Sequence, residues 1–518
     1  MSVADIDAVE GKSSVPGRAM VTAALLLAMA VVALEQTVVT TAMPSIIAAL
    51  KGLDIYPWVF SAYLLAATVS TPIYGKLADI WGRKKVLLFG LGLFSIGSVL
   101  SGQASSMAML IAMRVVQGLG AGAIGPIVLT MIGDMFTLKE RAVVQSLFST
   151  VWGVASLAGP ALGGVLTDRL SWRWVFYVTV PFGIVAAWVL VRHVDEKIEH
   201  RRVAPIDWPG ALLLALGSTS LLLAVLQGHD ASALRVGICL AIAAVILVAF
   251  VIREHHAADP MLPLDLIGQG VIGASVVGSF AVGVLLFGLD TFIPLYVQGV
   301  RGGSATEAGW TMTPMLSAWA VSVFVSVWVV IAMGFRTTAM VGGTIITLGV
   351  ACVAAGVEWP ALSKPLFLIG MIVIGLGFGP TSLSFILCTQ HSVDWGRRGV
   401  ATGAVTFFRT MGGALGVGLL GAVLGYELSN RLASAGAQGV DVAAALRPET
   451  HANLPPDVLA LVQHALGRSL RDVFLLMTAV ALTTIFAAAF LTPGHPSPPG
   501  EAKPGEGAED FALAAVVE

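Results

Sequence analysis

Charge is what this 518-residue chain has least of: Asp, Glu, Lys and Arg make up 12% of it, against about one quarter in an ordinary soluble domain. A water-soluble enzyme of this length is thereby all but excluded. The charges that are present nearly cancel, 29 basic against 31 acidic residues, so no global field draws nucleic acid or another polyanion toward it. Cysteine is equally scarce. Cys239, Cys352 and Cys388 lie inside apolar stretches, without the close-spaced Cys or His companions of a metal site or a disulfide framework, and read as packing residues. The phosphate cradle GxxxxGKS/T is missing, which removes direct ATP-driven pumping by this chain; any transport would be driven by an ion gradient or by a separate ATPase subunit. No grouping of nucleophile, base and orienting residue suggests hydrolysis, and no cofactor or metal is implied.

Hydrophobic residues fill the space that charge leaves, at 57%. A bilayer core of about 30 Å takes roughly 20 apolar residues per helix, because lipid tolerates no unsatisfied backbone group. With that ruler, stretches centre on Ala30, Leu65, Leu93, Gly120, Val154, Ile184, Ala215, Ala243, Leu285, Ala320, Gly343, Val373, Leu415 and Ala481, which predicts about fourteen membrane-spanning helices. The first is too long for a cleaved secretory signal and is followed by other spans, so it is expected to be retained. An even number of spans puts both termini on one side. Lys76, Arg83, Lys84, Lys85, Lys139, Arg141, Arg192, Lys197, Arg201, Arg202, Arg253, Arg336, Arg397 and Arg398 fall on that side, against Lys51, Arg169, Arg173, Arg235, Arg301 and Lys364 opposite. The positive-inside rule makes the terminal side cytoplasmic.

Four stretches carry more than apolarity. Gly75, Asp79, Gly82, Arg83 and Lys84 place an acid, a tight turn and a basic cluster between the second and third spans. Arg114, Gln117, Gly118, Gly120 and Gly122 lie in the fourth span; Gly153, Gly159, Pro160, Gly163 and Gly164 lie in the fifth. Leu34, Glu35, Gln36 and Thr37 lie in the first, with Met43 and Pro44 after them. The glycine-spaced runs 118–122 and 375–379 sit in apolar helices, not after a strand, so they read as close helix packing and not as a dinucleotide fingerprint.

The set resembles the motifs of the 14-helix drug:proton antiporter family of the major facilitator superfamily, densely from about Leu34 to Gly183 and more loosely over 290–425. The resemblance implies an all-α membrane fold of two six-helix bundles with two inserted helices. On that reading 1–18 is a cytoplasmic tail and 19–195 the first bundle. Residues 196–258 are a linker with the inserted helices, and 259–492 the second bundle with a long outer loop at 426–472. Residues 493–518, rich in Pro, Gly and Glu, are a disordered cytoplasmic tail. It also implies proton-coupled export of lipophilic, cationic compounds across a bacterial cytoplasmic membrane by a monomer that binds small molecules, protons and lipid. Gly75, Asp79, Gly82, Arg83 and Lys84 would then govern switching between states, and Gly153, Gly159, Pro160, Gly163 and Gly164 would pack helices and limit proton leak. Two alternatives stay open: a secondary exporter of one endogenous metabolite, lipid or siderophore, and a membrane receptor or scaffold that transports nothing.

An ionisable group in hydrocarbon costs at least about 2.5–3.5 kcal/mol on insertion scales, so those retained there are functional candidates. Glu35, Arg114, Asp290 and Arg409 are the four, taken together as the proton-coupling set. Counted from the outer ends of their spans, Glu35 and Arg114 lie at matching depth and are expected to meet. An acid facing an arginine favours its charged form and one facing an apolar space its neutral form, which suits a proton carrier that moves between the two. Asp290 and Arg409 are a second possible pair, and a parallel repeat would put Asp290 in the position of Glu35. Thr37, Gln117, Trp152, Phe287, Phe292 and Phe408 share or neighbour these helices and are candidate pocket residues for a lipophilic cation.

Overall fold

The computed structural model describes residues 18–53, 55–136, 138–194, 207–225, 233–257, 262, 264–393, 397–437 and 455–494, and every regular element among them is helical. The long helices are α1 (Arg18–Leu50), α2 (Pro57–Trp81), α3 (Arg83–Gly102), α4 (Met107–Met135), α5 (Leu138–Arg169), α6 (Val180–His193) and α7 (Trp208–Val225). They continue with α8 (Ala233–His256), α9 (Gly270–Leu295), α10 (Ala305–Glu358), α11 (Ser363–His391), α12 (Arg398–Ser434) and α13 (Pro456–Ala489). A π-helical turn, Tyr296–Val300, extends α9.

At 1.5 Å per residue the 54 residues of α10 would reach about 80 Å, far beyond a bilayer core. Gly334, at φ 76°, breaks it into two legs that fold back on one another. With the two legs counted separately, the chain makes the fourteen passes expected from its apolar stretches. The start of α1 and the end of α13 therefore lie at the same end of the molecule, called here the terminal end; the other is the distal end.

The two halves repeat each other in how their helices touch. The turn between α2 and α3 is made at Gly82 (φ 92°) and that between the legs of α10 at Gly334, the same left-handed conformation at corresponding positions. In the first half Gly118 and Gly122 of α4 bring the backbone against Tyr63 and Ser70 of α2, where an added methyl would overlap them. In the second half Gly375 and Gly379 of α11 do the same against Met315 and Ser322 of α10. Gly120 against Phe94 is matched by Gly377 against Gly342, and Gly159 and Gly163 of α5 against α1 by Gly412 and Gly416 of α12 against α9. Small residues let helices approach closely in the absence of a hydrophobic driving force between them, so these runs set the packing of both bundles.

The inserted pair divides its labour. Helix α8 exposes Leu234, Ile238, Ile242, Val245, Val248 and Ile252 along its length, as a lipid-facing helix does. Helix α7 packs on α8 but also touches α2 and α12, one from each bundle, so it is more than the spacer its lack of charge suggests. Arg253 holds Asp207 through two hydrogen bonds of 3.0 and 3.1 Å and fixes the start of α7 to the end of α8. Near the start of the second bundle the Arg397 guanidinium hydrogen-bonds Asp265 and keeps that exposed carboxyl below its ordinary range.

The expected outer loop at 426–472 is shorter than its boundaries: α12 continues to Ser434 and α13 begins at Pro456, so the amphipathic stretch 457–472 is the first part of the last helix. The tails, much of the linker before α7 and the middle of the outer loop lie outside the described residues.

Candidate functional site

Glu35, on α1, and Arg114, on α4, form an ion pair that is fully buried, at 0% and 1% exposure. Their matching depth is what the span count anticipated. The rest of the guanidinium is also used: its Nε donates to Val59 O of α2 at 3.1 Å, and one terminal nitrogen donates to Gln117 Oε1 at 2.6 Å. Gln117 Nε2 donates to Ser98 Oγ of α3 at 2.6 Å, and Ser98 lies 3.4 Å from Thr179 Oγ1, just before α6. The Tyr63 ring stacks over the guanidinium at 4.2 Å. One arginine thus ties α1, α2, α3 and α4 together and reaches α6 through the chain of side-chain amide and hydroxyls. Glu35 offers one carboxylate oxygen to Arg114; Oε2 is buried without a hydrogen-bond partner among the described residues.

The second half holds no copy of this pair. The run Gly118, Gly120, Gly122 matches Gly375, Gly377, Gly379, which places Met371 where Arg114 stands and Ile374 where Gln117 stands. The ends of α1 and of the π-turn put Asp290 about one helical turn nearer the distal end than Glu35, so the two acids are near-equivalent and not superposable.

Asp290 and Arg409 are not brought together. Helices α9 and α12 run parallel, with Phe280 against Gly412, Val284 against Gly416 and Gly288 against Leu420. Gly283 of α9 lies against the Arg409 carbonyl, seven positions or ~10 Å along the axis from Asp290. Neither side chain has a hydrogen bond or ion pair among the described residues.

The aromatic candidates separate into two groups. Trp152, Phe287 and Phe408 are half-buried and, with Trp58, Phe280 and Phe407, pack against the core of the first bundle. Phe292 is fully buried at the distal end, edge-on to Tyr56 at 6.4 Å. Thr37 is committed to packing, its hydroxyl donating to Ala155 O of α5 at 3.1 Å beneath Gly159. Gln117 belongs to the arginine network.

Of the expected switching residues, Gly82 makes the turn. Lys84 Nζ donates to Val191 O (3.1 Å) and Val194 O at the C-terminal end of α6, where a cation is favoured. Arg83 also has an interaction, Gly75 has open space around it, and the Asp79 side chain lies outside the described residues. Among the fifth-span residues, Gly159 and Gly163 pack on α1, while Gly164 and Pro160 pack on the start of α10, across the two halves. Gly153 differs: an added methyl would meet nothing within 4 Å, so packing does not require glycine there.

That cross-half contact includes a residue whose charge looked like an ordinary loop acid. Asp168, at the end of α5, accepts from Ala305 N (3.2 Å), Thr306 N (2.9 Å) and Thr306 Oγ1 (2.6 Å), capping the first turn of α10 in the other bundle. Gln298 Nε2 donates to Thr41 O at 2.8 Å and Ser61 Oγ to Ala414 O at 2.6 Å, both across the halves. Helix starts and ends place the Asp168 and Gln298 contacts at the distal end, so the structure is latched there. Asp168→Ala removes three hydrogen bonds to a charged acceptor, of which one alone is worth about 1.5–3 kcal/mol. Distal labelling of a cysteine placed at the buried Ala308 should rise by about tenfold or more; unchanged labelling would show that closure does not depend on this acid.

Residues 25–417 match the family described as the Major Facilitator Superfamily. The chain is 35% identical over 82% of its length to the multidrug transporter protein MdtP of Bacillus subtilis (strain 168), covering 78% of that protein. It is 31% identical over 89% of its length to multidrug resistance protein 3 of the same organism, covering 93% of it. Among solved structures, a bacterial homolog of the human lysosomal transporter Spinster, inward-facing and unoccupied, superposes with a TM-score of 0.70 at 17% identity, over 94% of this chain and 100% of that one. With a family match that spans well over half its length, this chain belongs to the Major Facilitator Superfamily and is a multi-pass membrane transporter, not an enzyme.

Proposed function

We propose that this transporter exports lipophilic cations across the bacterial cytoplasmic membrane in exchange for protons, as a monomer with both termini cytoplasmic and no cofactor beyond the proton gradient. The observation that carries the proposal is the unpartnered Oε2 of Glu35, a buried acceptor beside an oxygen already held by Arg114. While Glu35 is ionised, Arg114 balances it. A proton arriving on Oε2 leaves the guanidinium with an uncompensated charge in a low-dielectric interior, a state that favours rearrangement of α4 against α1. Asp290 has no arginine beside it, so a proton or the cationic cargo neutralises it, and the two exclude each other there.

The swing between states then follows from the packing. The bundles meet at the distal latch, so cargo enters from the terminal end. Proton loading from outside requires Asp168 to release α10 and the glycine contacts of α5 to part. The names of the Bacillus relatives, a multidrug transporter protein and a multidrug resistance protein, support a drug-like cargo.

Proteoliposomes loaded with ethidium and given a pH difference test the proposal. Extrusion should stop when a protonophore collapses the difference, and dye addition should move protons. Extrusion that continues undiminished without a pH difference would overturn it.

A further inference from the structure

We infer that the distal end of the second bundle holds a binding site for a phosphate-bearing anion, separate from the transport route. A cavity of about 740 Å³ opens there between the π-turn Tyr296–Val300, the junction of α10 and α11, and the first third of α13. Its wall carries Arg301, Lys364, His464, Arg468 and Arg471 against a single carboxylate, Glu358. Two of the cations are already occupied: Arg471 bonds Glu358 at 2.6 Å and Asp472 at 3.1 Å, and Arg301 bonds Glu307 at 2.9 Å. Among the described residues Lys364 and Arg468 have no hydrogen bond or ion pair at contact distance, though they face the same cavity; the Arg468 charge acts on Glu358 from farther off, and Lys364 has no acid of its own. Like charges gathered around one space repel one another, and an anion between them relieves that repulsion. This is an unusual concentration for a chain that carries so few charges.

The floor of the cavity is rigid. Tyr296 stacks on Phe367 at 4.6 Å with rings 8° from parallel, and its hydroxyl lies 3.0 Å from Ser363 Oγ. The cations therefore project from a fixed platform and not from a loose loop. The level in the membrane also points to a ligand source. Trp359 and Leu362, beside the rim, are 57% and 53% exposed, the pattern of a side-chain belt at the boundary between hydrocarbon and water. Arginine and lysine at that boundary can reach the phosphate of an anionic lipid through charge-assisted hydrogen bonds. A free phosphate anion offers the same chemistry.

Binding of three probes to the purified full-length protein separates the cases: dioctanoyl phosphatidylglycerol, dioctanoyl phosphatidylcholine and inorganic phosphate. They are compared for wild type and for a double variant, Lys364→Gln with Arg468→Gln. The inference expects the anionic lipid to bind the wild type about tenfold or more tightly than the variant, with added salt weakening it, while phosphatidylcholine does not discriminate. If inorganic phosphate discriminates as strongly as the anionic lipid, the site stands and its ligand is a soluble anion. If neither probe distinguishes two proteins of equal Tm, the site does not exist. Should the double variant not fold, Lys364→Arg with Arg468→Lys keeps the charges. Retained binding in that variant, together with loss in Lys364→Gln alone, supports the site, and any other outcome counts against it.

Discussion

Replacing Glu35 by glutamine should leave a folded transporter that no longer concentrates its cargo. Glutamine is nearly isosteric, and its carbonyl can still accept from Arg114, so the chain should fold; but it fixes the site in its neutral state, with α4 biased toward rearrangement against α1. What it loses is the ability to exchange a proton. One pH unit corresponds to about 1.4 kcal/mol, or roughly a tenfold gradient of cargo for each proton exchanged. The variant should therefore lose about that factor in steady-state accumulation per pH unit, and its residual flux should be flat with pH. Dye efflux from vesicles held at two external pH values measures both. Wild-type rates with an unchanged pH profile would remove Glu35 from the coupling and would leave Asp290→Asn as the variant to make.

The second large effect is on stability. Arg114→Met takes away the counter-charge of a fully buried carboxylate and three other hydrogen-bonding or stacking contacts, and breaking one partner out of a buried pair costs about 3–5 kcal/mol. The methionine is a reasonable filler, since Met371 occupies the corresponding place in the other bundle. Adding Glu35→Gln to Arg114→Met should therefore recover most of the loss, because replacing both members of a buried pair is often close to neutral. Thermal unfolding of the two variants beside wild type tests this. Equal stability of the single and double variants would mean that the cost lies in Val59, Gln117 and Tyr63, and not in the orphaned acid. The double variant should still not transport against a gradient.

How much of this was legible in the sequence follows from what a bilayer demands of it. The fourteen passes could be read because hydrocarbon forces each helix to show about twenty apolar residues, and the break at Gly334 could be read because no span reaches 54. Glu35 meeting Arg114 could also be read, since depth along a helix is simple counting. The pairing of Asp290 with Arg409 failed because counting gives depth within a span and not the register between neighbours, which Gly283, Gly412 and Gly416 set by how closely they let α9 and α12 approach. Ser98 and Thr179 gave no signal, because hydroxyls in apolar helices are usually spent on their own backbone, as Thr68, Thr71 and Thr381 are here. Asp168 was invisible for another reason: a single acid at a span boundary is ordinary, and only the fold shows that it caps a helix of the opposite bundle.

Helix α7 touches both bundles, and that has a mechanical consequence. A rod resting on two bodies that tilt against each other cannot keep both contacts unchanged; it must roll or slide on at least one. Helix α7 carries no charged side chain along its length, so no ion pair pins it to either bundle. If the two bundles tilt as alternating access requires, the inserted helices are then the part that has to give way or act as a stop, although they carry none of the candidate site residues.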